Sequence, residues 1–202
     1  MDRRIPFIPF IALAALVVAG TLWHLGDIAG HRTIETVSTG ENFKLGGTFA
    51  LTDQNGATRT DQEFRGKYML VFFGYTYCPD VCPTTLAVIK SALDIMGSRA
   101  DRIVPLFITV DPNRDTPEKL KTYLSSFGPR FVGLTGNDTA IASVAKEYRV
   151  YYKTRPAENG GEYTVDHSGV VYLMDASGAF IANYSLDSSP DAMAQDLLKR
   201  LR

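Results

Sequence analysis

Cysteine is scarce in this sequence. Its 202 residues hold two, Cys78 and Cys82, both within GYTYCPDVCPTTL (residues 74–86) and each directly followed by proline. Two cysteines are too few for a disulfide scaffold, and a chain of this length buries a core without covalent staples. The pair is therefore kept for chemistry more than for stability. Excess charge is lacking as well: 21 basic side chains against 22 acidic ones leave a formal net charge of -1 and a pI near 6.3. No general basic field exists to draw the chain onto nucleic acid, and that class of partner is set aside. The motif C-x-x-C-H is absent, which excludes covalent haem attachment. Internal repeats and low-complexity tracts are absent too, and a hydrophobic content of 45% is that of a globular core, so one main fold with an appendage is expected.

A long apolar run is present at the start. From Ile5 to Trp23, IPFIPFIALAALVVAGTLW carries no formal charge over 19 residues, close to the roughly 20 that a helix needs to cross the hydrocarbon core. Arg3 and Arg4 precede it; basic residues stay on the cytoplasmic side, so the rest of the chain is expected to be exported, with Trp23 at the outer interface. A cleaved signal peptide is the competing reading. The run is longer than a usual signal core, however, and Val18-Ala19-Gly20 is only a weak substitute for a cleavage site. An uncleaved anchor over residues 1–25 fits better, followed by an aperiodic tether over 26–42 and a folded domain over 43–202. In a bacterium this describes a single-pass protein of the inner membrane with its C-terminal domain in the periplasm.

Within the folded part, FALTDQNGATRT sets Asn55-Gly56 between two short extended segments, the signal of an N-terminal β-hairpin. YMLVFFGY, from Tyr68 to Tyr75, and RIVPLFITVD, from Arg102 to Asp111, read as strands buried on both faces. Leu86, Ile89, Leu93 and Met96 form a helical stripe that Gly97 ends. A second helix opens with Thr116 at its N-cap and Pro117 at its first position, and NDTAIASVAKEYRV gives a third. GVVYLMD and AFIANYS read as a strand pair, and SPDAMAQDLLKRL as a closing helix. This order describes an α/β, thioredoxin-like three-layer fold: a central mixed sheet flanked by helices. The cysteines fall on the first strand-to-helix turn, at the edge where open α/β sheets place ligands.

Pro83 fits only the first turn of the helix it opens, which puts Cys82 near the N-cap, where free amides and the helix dipole are expected to lower its pKa. Cys78 lies one tight loop earlier. A plain disulfide is one reading, though so short a loop constrains the unfolded chain little. A redox pair is another, although the spacing is not C-x-x-C and no proline immediately precedes GVVYLMD. The third is a metal site completed by His167, the one imidazole beyond the anchor and tether, if the loop before Val170 reaches the rim of the cysteine loop. Two soft thiolates and an imidazole suit copper or zinc and disfavour magnesium or calcium. Asp111, at the end of a strand, is a candidate acceptor facing the metal rim. Tyr148, Tyr151, Tyr152 and Tyr163 read as core or rim packing. A peroxidase is a further class, supported only by the fold.

Taken together, these segments resemble the Sco/SenC family of copper proteins, which is associated with assembly of the CuA centre of cytochrome c oxidase. The resemblance is carried by Gly74-Tyr75-Thr76, Cys78-Pro79-Asp80 and Cys82-Pro83, by Asp166-His167-Ser168, and by Val110-Asp111-Pro112 with Arg114-Asp115-Thr116-Pro117. It runs from about residue 43 to the C-terminus and includes the anchor. It implies that Cys78, Cys82 and His167 hold copper, as Cu(I) or Cu(II). The implied role is a metallochaperone rather than an enzyme, delivering copper to the CuA-bearing subunit of cytochrome c oxidase. The alternative is a thiol-disulfide oxidoreductase that reduces the CuA-site cysteines or acts in redox signalling. Further implied partners are a periplasmic thioredoxin-like reductant or another copper chaperone. The two roles compete for the same sulfurs, because an oxidised pair cannot ligate.

Overall fold

The computed structural model describes residues 44–157 and 160–201. The anchor expected over 1–25 and the tether over 26–42 lie outside the described residues, among which no helix is long and apolar enough to cross a membrane. Two aromatic-rich strands form the middle of the sheet, β3 (Tyr68–Gly74) and β4 (Ile103–Thr109), paired in parallel from Tyr68 opposite Ile103 to Gly74 opposite Thr109. Leu70, Val71, Phe72, Phe73, Phe107 and Ile108 are fully buried, as continuous apolar runs covered on both faces must be.

Around this pair the described sheet is seven-stranded, in the order β2-β1-β5-β4-β3-β8-β9. The outer members are β1 (Ala50–Asp53), β2 (Thr58–Thr60), β5 (Val132–Thr135), β8 (Val171–Met174) and β9 (Phe180–Tyr184). β5 runs parallel to β4, while β8 is antiparallel to β3 and β9 antiparallel to β8. β1 is antiparallel to both β2 and β5. Its turn into β2 is tied by Asp53 Oδ1, which accepts from the Asn55 and Ala57 amides, with Gly56 at a φ of 82° that favours glycine.

Four helices are described: α1 (Val81–Met96), α2 (Pro117–Ser125), α3 (Asp138–Glu147) and α4 (Pro190–Arg200). Thr116, Asn137 and Ser189 cap α2, α3 and α4, each side-chain oxygen accepting from an amide three residues on. Phe72 and Phe107 pack on one face of the sheet with Tyr123 of α2, and Cys82 of α1 reaches Gly74 there. Phe73, pointing the other way along the strand, meets Tyr148 at the end of α3 and Tyr172 of β8. The result is the mixed-sheet, thioredoxin-like three-layer plan expected from the sequence.

Three strands go beyond the sequence reading. β5 is a four-residue segment followed directly by Gly136, and pairing with β4 and β1 makes it a strand despite its weak local pattern. β6 (Tyr152–Arg155) and β7 (Thr164–His167) form a separate antiparallel ribbon, with Tyr152 opposite His167. Most of its residues are polar and exposed, so no apolar alternation announces it; Val165 is the buried one.

Candidate metal centre

The direction of three strands decides what meets at one edge of the sheet. β3 and β4 are parallel, so the loops leaving Gly74 and Thr109 emerge on the same side. β8 is antiparallel to β3, so its first residue, Val171, lies opposite Phe72 and the chain entering it arrives at that same edge. The cysteine loop, the segment from Val110 to Thr116 and the end of β7 therefore converge.

His167 Nε2 lies 3.4 Å from Cys82 Sγ, although the two residues are 85 positions apart. Cys78 Sγ completes the group: the three ligand atoms lie within 4.8 Å of one another. Metal bonds of about 2.0–2.3 Å, usual for imidazole nitrogen and thiolate sulfur, fit inside such a triangle. Neither cysteine is in a disulfide. His167 Nδ1 is 3.3 Å from the Ser168 carbonyl oxygen, which can only accept, so a hydrogen bond there requires the proton on Nδ1. Nε2 then presents its lone pair towards the sulfurs. The ring is held edge-on against Tyr75 and Phe72, with centroids at 5.8 and 6.1 Å. The chemistry of this donor set is that of a soft ion.

The pair is asymmetric, and the asymmetry reverses the expectation from the sequence. Asp80 is the N-cap of α1, and Cys82 is the second helical residue rather than the cap. Its side chain is fully buried, while Cys78 is half-buried. The Cys82 amide of the first helical turn donates to Cys78 Sγ at 3.4 Å. The free donors at the helix start thus serve the earlier cysteine. The Cys82 thiol donating to it holds Cys78 far below the ordinary thiol range against the opposing pull of burial, with the Cys82 and Asp80 amides assisting. Cys82 is pushed up, first because its thiol donates a hydrogen bond to Cys78 and then by burial. Both shifts favour the charge on Cys78 and the proton on Cys82.

Gly74 is the floor of the site. A Cβ there would lie 2.7 Å from Cys82 Sγ and 2.8 Å from Phe107 Cε2, so the buried sulfur needs a glycine opposite it. Asp115, named in the sequence only as part of the Arg114–Pro117 signature and given no role, fastens the cysteine loop. Its Oδ1 accepts from the Thr76 hydroxyl at 2.6 Å, and its Oδ2 from the Thr76 amide at 3.0 Å and the Thr109 hydroxyl at 2.6 Å. The carboxyl is fully buried, and burial pushes it up although all three donors pull it down. The signal that could have found it is an acidic residue placed between a strand end and a helix cap with no capping role of its own.

Asp111 is corrected in role. It is buried, but it accepts from Arg114 Nε at 2.5 Å and from the Tyr163 hydroxyl at 2.8 Å. Among the described residues no hydrogen bond joins it to Cys78, Cys82 or His167. Of the tyrosines, Tyr148 is core, Tyr151 is exposed, and Tyr152 and Tyr163 are half-buried.

Residues 37–202 match the family described as SCO1/SenC. The SCO2-like protein of Rickettsia felis is 39% identical over 194 residues, covering 93% of this chain and 93% of its own length. Among solved structures, copper-bound ScoI of Bradyrhizobium japonicum is 50% identical with a TM-score of 0.72, covering 77% of this chain and 98% of that one. Copper-bound yeast Sco1 is 37% identical with a TM-score of 0.72, covering 78% and 88%.

Proposed function

This chain belongs to the SCO1/SenC family, and from that premise we propose that it is a membrane-tethered metallochaperone. It takes up copper on Cys78, Cys82 and His167 and delivers it to the CuA-bearing subunit of cytochrome c oxidase. The observation that carries this reading is the convergence of two free sulfurs and one imidazole nitrogen, all within 4.8 Å, from two segments distant in sequence. The copper-bound relatives favour copper over zinc for this donor set. Three donors at an open rim suit cargo: the ion is held by soft ligands, and Cys78, half-buried, leaves a side from which a second protein's thiolates can approach. The apolar run Ile5–Trp23 supplies the membrane anchor, with the copper domain on the periplasmic side of a bacterial inner membrane.

The test is anaerobic Cu(I) titration of the reduced full-length protein in detergent, followed by X-ray absorption. One equivalent of copper in a shell of two sulfurs and one nitrogen is expected. A shell of four sulfurs, or of oxygen and nitrogen only, would overturn the assignment.

The asymmetry of the thiols favours a second reading, a thiol-disulfide reductant of the CuA-site cysteines. Cys78 thiolate would attack a partner disulfide and expel one sulfur as thiolate. Cys82 would then resolve the mixed disulfide, so that two electrons and the thiol proton pass to the partner's cysteines. Oxidase assembly restored by a copper-free His167→Ala variant would favour this role over delivery.

A further inference from the structure

The two thiols and the imidazole sit on separate pieces of structure. Cys78 and Cys82 belong to the loop and helix that follow a central strand, whereas His167 ends a two-stranded ribbon outside the main sheet. A two-stranded ribbon is marginally stable alone. Something must hold β7 in register with the cysteine loop, and the residue placed to do so comes from neither piece.

We propose that Arg114 is the positioning residue that locks the ribbon carrying His167 onto the loop carrying the cysteines. Arg114 Nε donates to Asp111 Oδ2 at 2.5 Å, and Nη1 donates to the Tyr163 carbonyl at 2.9 Å, one residue before β7 begins. The Tyr163 hydroxyl donates to the other oxygen of Asp111 at 2.8 Å, closing a ring of three residues through the Tyr163 backbone. On the ribbon side the guanidinium carbon lies 3.6 Å from the centroid of Tyr163, and Glu162 is 3.5 Å from Nη1. On the cysteine side the same carbon is 4.6 Å from the Tyr77 ring and 5.8 Å from the Tyr75 ring. Tyr77 directly precedes Cys78, and Tyr75 meets the imidazole of His167 edge-on.

The guanidinium is therefore shared between the two halves of the site without touching a ligand atom. Its side chain is 14% exposed, and Nη2 has no hydrogen-bond acceptor among the described residues. A planar cation among three aromatic rings is stabilised by their faces where no oxygen is offered. Lysine cannot reproduce this: it lacks the fork that reaches Asp111 and Tyr163 together.

The metal arm of the test rests on the copper reading, and the other arm does not. In metal-free protein, Arg114→Met is expected to speed amide hydrogen exchange over residues 164–168 by about tenfold or more, with Phe72 and Ile108 unchanged. In the copper arm, Arg114→Met should lower Cu(I) affinity about tenfold in the native background and leave it nearly unchanged in His167→Ala, where the ribbon no longer carries a ligand. Arg114→Lys keeps a positive charge beside buried Asp111 and guards against simple misfolding; it should show both effects in the same direction. Unaltered exchange over 164–168 in both variants would overturn the proposal, as would an equal loss of copper affinity in the two backgrounds. Native protein that took up no copper would refute the metal reading instead, and the exchange arm would then decide the role of Arg114 alone.

Discussion

A methyl group at position 74 has nowhere to go. Cys82 Sγ and the ring of Phe107 both lie inside 3 Å of where it would sit, and neither is the loose end of a flexible chain. Gly74→Ala is expected to cost about 1–3 kcal/mol of stability, the usual range for overpacking a filled core. It should weaken copper binding as well, because the sulfur is what must shift; chemical denaturation and a chelator competition on one sample check both. His167 is the opposite case. Its ring packs on Tyr75 and Phe72 at the rim rather than in the core, so His167→Ala should leave the fold intact. The copper loss should nonetheless exceed the about 10–100-fold that removal of an outer partner costs, since a donor atom itself is gone. Circular dichroism paired with copper affinity reads the two effects apart, and unchanged affinity would remove His167 from the site.

At the scale of elements, the site depends on how firmly the loops are tied to the sheet. The cysteine loop is tied through Asp115, whose two oxygens accept three donors from Thr76 and Thr109. Asp115→Ala strands the buried Thr109 hydroxyl and frees the Thr76 amide. A loss of about 2–4 kcal/mol is expected, since each buried donor left unmade costs ~1–3 kcal/mol. A loop so released should also expose Cys78, and its alkylation rate by a bulky maleimide should rise at neutral pH, where access rather than ionisation limits the native residue. Stability lost with no change in alkylation would make Asp115 a core anchor with no bearing on the cysteines. The ribbon β6–β7 is tied differently, by one cation between rings, which fits a ribbon in which Val165 alone is buried and Tyr152 half-buried.

For the whole molecule, the site is a crosslink. A bound ion would join α1 to the end of β7, elements 85 positions apart in the chain, and no such site exists once the chain unfolds. Copper should therefore stabilise the domain by linkage, about 2.7 kcal/mol at roughly 100 times its dissociation constant. The denaturant midpoint should rise with copper in native protein and stay fixed in Cys82→Ser. A copper-dependent rise of equal size in that variant would place the stabilising ion elsewhere on the molecule.

The sequence by itself determined the buried pair of central strands, because unbroken apolar runs at Tyr68–Tyr75 and Ile103–Thr109 admit no half-exposed strand. It also determined the helix starts at Thr116, Asn137 and Ser189, because capping is a contact between near neighbours. The ligand types were legible too, since two cysteines and one imidazole outside the N-terminal segment leave little choice. What it left open depends on contacts between distant residues. The strand status of Val132–Thr135 comes from its partners on either side, and the ribbon that carries His167 has too few apolar residues to reveal itself. Which sulfur holds the negative charge is a matter of direction: the first amides of α1 point at Cys78 while Cys82 turns inward. Local rules place a thiol near a helix start, but only the packed chain decides which sulfur stands in line with its amides and which is shut away from water.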